Sequence, residues 1–379
     1  MNVPLFKVYM PSSVEYKLPE VLKSGYVAEG EYVRKFEKLL GDFGKNPNVV
    51  ATNSCTSALH LALAMETKND PGYVITTSMT CIATNVSIVN LRNKIIWCDV
   101  DPINGMLTRE TLLNTWAGLS IDQRQKVKAI IFVMWGGDVG DLKRVYETAD
   151  ELGIPLIVDA AQGFGAQVNG NPIPSIYGDY ICWSFQAIKH ITTGDGGCLF
   201  VRNPNKLKRA SILKWFGIDR DMFRTPTGEI NWLADISEIG YKFHMNNITA
   251  CIGIEQMESN LQARLDSYKE NARCYQKEFE GLDFQRTDNI EISANWVYTA
   301  ATTMDVDGLI KKLSDVGINS SRMHLPNHIY SGFTSTNTPL YGTEAFHKQH
   351  ICIPCGWWVG VDERNYIISE VKKCLEDLK

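Results

Sequence analysis

A chain of 379 residues, 44% hydrophobic and 21% charged, has ordinary globular composition and enough length for two or three domains around a large core. A net charge of -5 argues against a nucleic-acid binder, which would show a basic face or stripe. Apolar runs such as residues 129–135 stop well short of the roughly 18 residues needed to span a bilayer, and the first residues do not read as a secretory leader, so no membrane partner is expected.

In chain order, Asn48–Ser54 reads as a strand and Thr56–Met65 as a helix. Further buried strands are expected over 72–78, 94–100, 128–136, 154–161 and 180–185, with helical and connecting material between them, including 125–130 and 140–154. Strands alternating with helices indicate an α/β fold with a mostly parallel central sheet. After about residue 250 the pattern changes. Gly253–Leu282 reads as one long, charge-laced helix leading out of the first domain. Short strands follow over 295–304, then a helix over 307–317, a Pro/Asn/Ser-rich loop over 324–342 and a final helix over 362–378. The expected division is a large α/β domain of residues 1–250 and a smaller C-terminal α+β domain of residues 251–379.

The ten cysteines are scattered, several within apolar strands where a free thiol packs as a small hydrophobe, so a reduced, cytoplasmic setting is expected. Cys352-Ile-Pro-Cys355 follows His347 and His350, which makes a zinc or redox site conceivable. It runs into an aromatic GWWVG rather than opening a helix, and plain packing is the stronger reading; no metal is expected.

Ligands of open α/β sheets gather at the carboxyl ends of the strands. Three segments leave the sheet there. Ser54-Cys55-Thr56-Ser57 precedes a helix, where hydroxyls and free N–H groups cradle an anion or merely cap the helix. Asp159 ends an apolar strand and needs a hydrogen-bonding or cationic partner. Lys189 follows the strand carrying Ser184 and precedes the turn TTGDGG; it is either a desolvated, nucleophilic amine or a solvated surface residue. Taken together, the three supply what pyridoxal phosphate needs: a lysine for the aldehyde, an aspartate to keep the ring nitrogen protonated, and a helix N-terminus for the phosphate.

Several ordered motifs carry a family resemblance: LKSGYVAEGEYVRKFEKLL, NSCTSALHLAL, SMTCIATNVSIV, CDVDPINGMLT, IVDAAQGFGA, SFQAIKHITTGDGG, GYKFHMNNITACIGIEQM and IPCGWWV. They resemble the DegT/DnrJ/EryC1/StrS family of sugar aminotransferases, which implies a fold type I PLP-dependent transferase. By that resemblance Lys189 matches the Schiff-base lysine and Asp159 the pyridinium partner. Gln162 falls beside the ring's phenolic oxygen, and Ser184, Cys55 and Thr56 at the phosphate. Lys242, His244 or Asn246 would reach the cofactor of a neighbouring subunit, so a homodimer with shared sites is implied. Cys81 stands where many members place an aromatic on the ring. Lys242 and His244 replace a common Asn and Arg, and Met134-Trp135-Gly136-Gly137 departs from the usual HLYG. Tyr26 of the SGYVAEG loop, with Arg322, His324 and His328, are candidates for substrate contacts.

The implied activity moves an amino group from L-glutamate, leaving 2-oxoglutarate, to C4 or C3 of a nucleotide-linked 6-deoxy-keto sugar. Such chemistry belongs to amino-sugar biosynthesis for lipopolysaccharide O-antigen or other glycans. Relatives that carry histidine in place of the lysine remove a sugar hydroxyl instead; the lysine here favours transamination over that dehydratase reading. A non-catalytic PLP-binding regulatory role is a third reading, disfavoured by the retained lysine and aspartate.

Overall fold

A computed structural model of the chain describes residues 1–286, 288–333 and 339–379. Five positions of the expected 324–342 loop, 334–338, lie outside the described residues. The main sheet contains β1 (Val49–Thr52), β2 (Tyr73–Thr77), β3 (Lys94–Cys98), β4 (Val127–Val133), β5 (Leu156–Asp159), β6 (Tyr180–Ser184) and β7 (Gly197–Val201). Their spatial order is β1-β7-β6-β5-β4-β2-β3. All neighbours are parallel except β7, which runs antiparallel to both β1 and β6.

Both faces of this sheet are covered, which is why its strands read as continuous apolar runs rather than as alternating ones. Along β4, Ile130 and Phe132 enter one hydrophobic layer, while Ala129, Ile131 and Val133 enter the other. The Cys55–Thr67 helix packs into the second layer through Leu59, Leu61 and Leu63. The strand β7 was not expected from the sequence, because its four apolar residues follow a glycine pair with no period of their own. Residues 127–130, part of the stretch read as helical or connecting, instead open β4.

The long helix expected over 253–282 is two helices, Asn247–Glu258 and Leu261–Glu278. The break falls at Asn260, whose φ of 48° is the left-handed backbone that asparagine tolerates. The buried Arg264 ties the two together. Its guanidinium donates to the Gln256 backbone carbonyl at 2.5 Å and to Gln256 Oε1 at 3.0 Å. These bonds satisfy a carbonyl that the first helix leaves open at its end.

A third hydrophobic cluster joins the Leu261–Glu278, Val306–Asp315 and Val361–Glu376 helices to β8 (Tyr298–Ala301) and β9 (His350–Ile353). Where several short strands were expected over 295–304, there is the single strand β8, antiparallel to β9. The N-terminus returns to this cluster: Val3 is buried in it, and its N–H donates to the Gly317 carbonyl at 2.8 Å. Cys355 is buried in this cluster and Cys352 in a small separate one with Trp296 and Val297, and burial pushes each thiol up to about 12. Cys355 Sγ donates to the Tyr268 carbonyl at 3.3 Å. Among the described residues no helix is long and apolar enough to cross a membrane, and no cluster of three or more His, Cys, Asp or Glu side chains has metal-binding geometry.

Candidate active site

The strand register brings the three sequence segments together. Gly197, the first residue of β7, lies opposite Thr52 of β1 and opposite Ser184 of β6. The chain leaving β1 turns at Ser54 into the Cys55–Thr67 helix. Ser54 Oγ accepts from the Ser57 N–H at 3.1 Å. This is the expected cap, and it leaves the Cys55 and Thr56 N–H groups with no helical partner, as at any helix start. A Cβ on Gly197 would stand 2.4 Å from the Cys55 nitrogen. Only glycine therefore allows β7 to pass this close to the helix N-terminus.

Asp159 is the last residue of β5 and is 5% exposed. Its Oδ2 accepts from Thr84 Oγ1 at 2.6 Å and its Oδ1 from the Ala161 N–H at 3.1 Å. Burial holds this carboxyl above its ordinary range, while the two hydrogen bonds and the charge of Lys189 oppose the shift.

Lys189 lies in the loop between β6 and β7. Its Nζ sits 3.7 Å from the centroid of the Trp296 ring. Among the described residues no hydrogen bond or ion pair reaches that nitrogen. Burial lowers the amine to about 8, and the nearby Asp159 carboxylate partly offsets the effect. A lysine at that value is substantially neutral near pH 8 and competent as a nucleophile.

Cys55, Thr56, Cys81, Asp159, Gln162, Ser184, Lys189 and His324 all line one cavity of about 250 Å³. Gln162 Oε1 accepts from the Gly136 N–H at 2.7 Å, which fixes the side chain and leaves its NH2 group free to donate. Burial lowers His324 to about 4, so this imidazole is neutral in the fold.

Other candidates lie elsewhere in this chain. Tyr26 is 80% exposed beside a separate surface depression. Arg322 pairs with Asp307, and His328 Nδ1 lies 2.7 Å from Ser78 Oγ. Lys242 and His244 pack on Trp215, and Asn246 caps the Asn247–Glu258 helix by accepting from the Thr249 N–H. None of these six lines the cavity; for the last three, the expectation concerned a neighbouring subunit's site.

Sequence reasoning missed Thr84, Trp296 and Asp195. The last two line the same cavity. Thr84 carries a signal only in hindsight: a buried strand-end carboxylate requires a donor. Trp296 arrives from the far side of the chain, and nothing local marks it.

The donor set fits pyridoxal phosphate. The start of the Cys55–Thr67 helix, with its free N–H groups, and Ser184 line the cavity and suit a phosphate. The buried Asp159 carboxylate lines this space, as does the Lys189 amine, which has no hydrogen-bond or ion-pair partner among the described residues.

The solved sugar aminotransferase CalS13 from Micromonospora echinospora superposes with a TM-score of 0.90 at 31% identity, covering 98% of this chain and 99% of that one. AtS13 from Actinomadura melliaura does so with a TM-score of 0.90 at 29% identity, covering 98% of each chain. A UDP-4-amino-4,6-dideoxy-N-acetyl-beta-L-altrosamine transaminase of Campylobacter jejuni is 25% identical over 96% of this chain and 94% of that protein. The model of the DegT/DnrJ/EryC1/StrS aminotransferase family matches residues 12–372, and the chain belongs to that family: it is a pyridoxal-phosphate-dependent sugar aminotransferase of fold type I.

Proposed function

We propose that this enzyme transfers the amino group of L-glutamate to a keto group, at C4 in preference to C3, of a nucleotide-linked 6-deoxy sugar. It does so in two half-reactions, with 2-oxoglutarate leaving before the sugar enters. The observation that carries the reading is the placement of Lys189 and Asp159 in one buried cavity with the open N-terminus of the Cys55–Thr67 helix. The transaminase activity of the Campylobacter relative, on a UDP-linked 4-amino sugar, supports a nucleotide-linked 4-keto substrate class.

Pyridoxal phosphate, when bound, supplies an electron sink for the bond broken at the donor's α-carbon. The side chains do the rest. Lys189 would hold the cofactor, and as a free amine it takes the α-proton on Nζ and returns it as a general acid. Asp159 holds the ring-nitrogen proton by charge, with Thr84 and the Ala161 N–H fixing the orientation of its carboxylate. Cys55 and Thr56, through their backbone N–H groups, and the Ser184 hydroxyl bind the phosphate. The NH2 group of Gln162 donates toward the phenolic oxygen, and Cys81 packs against the ring. Lys242, His244 or Asn246 of a second copy completes the phosphate site. Tyr26, Arg322 and His328 take part in substrate binding only from a second copy or after rearrangement, whereas His324 already stands in the cavity.

A homodimer is part of the same reading. Residues 216–239 carry apolar side chains in water, among them Trp232 at 86% and Leu233 at 71% exposure. A grouping of this kind marks a surface for association. We further propose a functional division near residue 250, with the first residues belonging structurally to the C-terminal unit, and a cytoplasmic setting.

The test is a panel of nucleotide-linked 4-keto and 3-keto sugars assayed with glutamate, scored by nitrogen gained in the product. Product that loses water without gaining nitrogen contradicts the proposal. So does failure of glutamate alone to convert the bound cofactor to its amine form.

A further inference from the structure

The reaction requires Lys189 to exist in two situations: bonded to the cofactor, and free. The chain provides a place for the free amine. Trp296 is 2% exposed and lines the cavity. Its indole N–H donates to the Ile188 carbonyl at 2.9 Å, and Phe6 stacks on it with centroids 4.6 Å apart. The ring is therefore fixed from both the lysine loop and the N-terminal segment. His190 ties the same loop to the same strand entry, its Nε2 lying 3.0 Å from the Ala294 carbonyl. Across this fixed contact, Lys189 Nζ lies 3.7 Å from the ring centroid, well inside the range over which an indole face attracts a cation.

We infer that Trp296 is a positioning residue for Lys189: its ring face receives the ammonium whenever the amine is free of the cofactor, and so sets how tightly that amine holds a proton. The inference rests on Lys189 being the cofactor lysine. When the donor's α-C–H bond breaks, the proton lands on Nζ and the electron pair stays with the carbon framework. The resulting ammonium is the species an indole face binds; the neutral amine is held far less. The ammonium remains in the cavity on Trp296 until it delivers the proton and returns to the neutral amine.

The other groups facing Lys189 cannot do this alone. Asp159 at the end of β5 favours the ammonium but is also required by the ring nitrogen. Cys55 and Cys81 approach from two helix starts, His324 from the 321–326 loop and Asp195 from the turn before β7. His190 lies beside it, and burial keeps both His190 and His324 neutral near pH 7. Burial acts against the charged amine throughout, and the indole face opposes it.

The test uses the cofactor-stripped protein, so activity is not the readout. Trace labelling of Lys189 with acetic anhydride across pH, read by peptide mass spectrometry, reports the proton affinity of the amine. Trp296→Leu is expected to weaken that affinity about tenfold, and Trp296→Phe by an intermediate amount, because a phenyl ring is a weaker cation acceptor. Circular dichroism and retained binding of pyridoxal phosphate confirm the fold of each variant. Equal titration of Lys189 in the wild type and both variants overturns the inference, as does tighter proton binding in Trp296→Leu. The underlying assignment is tested separately: Lys189→Ala that still forms the covalent cofactor absorbance refutes the assignment of Lys189, whatever Trp296 does.

Discussion

Thr84 Oγ1 donates to Asp159 Oδ2 at 2.6 Å, and Thr80 Oγ1 lies 2.8 Å behind Thr84. The relay runs in one direction: because Thr84 gives its proton to the carboxylate, its own oxygen is left to accept from Thr80. A hydrogen bond to a charged group contributes about 1.5–3 kcal/mol. Its loss lets burial raise Asp159 further, toward the neutral acid that cannot hold a pyridinium proton. Thr84→Val is expected to lower kcat about tenfold or more and to move the acidic limb of the pH–rate profile upward, and Thr84→Ser to restore most of both. An unmoved acidic limb in Thr84→Val would show that Asp159 is oriented by other groups.

Lys189→Ala should abolish turnover and the covalent cofactor absorbance, and Asp159→Asn should keep some cofactor while losing most activity. The wild-type amine adds a kinetic signature. Only neutral Lys189 attacks an aldehyde, and it titrates at about 8. Covalent capture of pyridoxal phosphate by the stripped protein should therefore accelerate about tenfold per pH step of one below 8 and level off above it. Stopped-flow absorbance measures this directly; a rate independent of pH between 6 and 8 would contradict the neutral amine as the attacking form.

His190 predicts acid sensitivity. Burial lowers it to about 3, and its neutral ring donates from Nε2 to the Ala294 carbonyl. The unfolded chain takes up a proton there near 6.5, while the folded chain does not. The stability this histidine contributes is therefore complete above pH 6.5 and declines as pH falls toward 3, by about 3 kcal/mol at pH 4. Urea midpoints should fall across this range, and His190→Gln should flatten the decline relative to its own value at pH 7.5. Parallel curves for the two proteins would place the acid sensitivity elsewhere.

The apolar 216–239 segment predicts an association-dependent site. Trp232→Glu together with Leu233→Glu should give a monomer by sedimentation velocity and weaken cofactor retention, since Lys242, His244 and Asn246 would no longer reach a second site. A monomeric variant with undiminished cofactor affinity would show that each chain holds its cofactor alone.

The parts of the site visible in the sequence are those that leave a strand. Asp159 announces itself because a charge at the end of a buried apolar run has few tolerable environments, whereas Lys189 alone reads equally as a solvated surface residue and stands out only beside Asp159 and the helix start. Ser54 reads correctly as a cap, and the cap is what leaves the Cys55 and Thr56 N–H groups open. Thr84 does not announce itself, because a threonine within a helix is unremarkable until its carboxylate partner is located. Trp296 is hidden for a different reason: its meaning comes from the loop of Lys189, more than a hundred residues earlier in the chain. The break at Asn260 leaves the amphipathic pattern almost undisturbed, so composition alone joins the two helices. The strand β7 escapes because its pairing, rather than its own short apolar run, defines it.

That antiparallel strand also governs when the site comes into being. Val49 of β1 pairs with Phe200 of β7, and β6 reaches β1 only through it. During synthesis, β1 and the helix that follows it emerge long before their partner, with an unpaired edge exposed. Contacts between such distant segments form late and slowly. A polypeptide that stops before residue 200 carries the Cys55–Thr67 helix and Asp159, yet lacks the complete strand that joins β1 to the rest of the sheet.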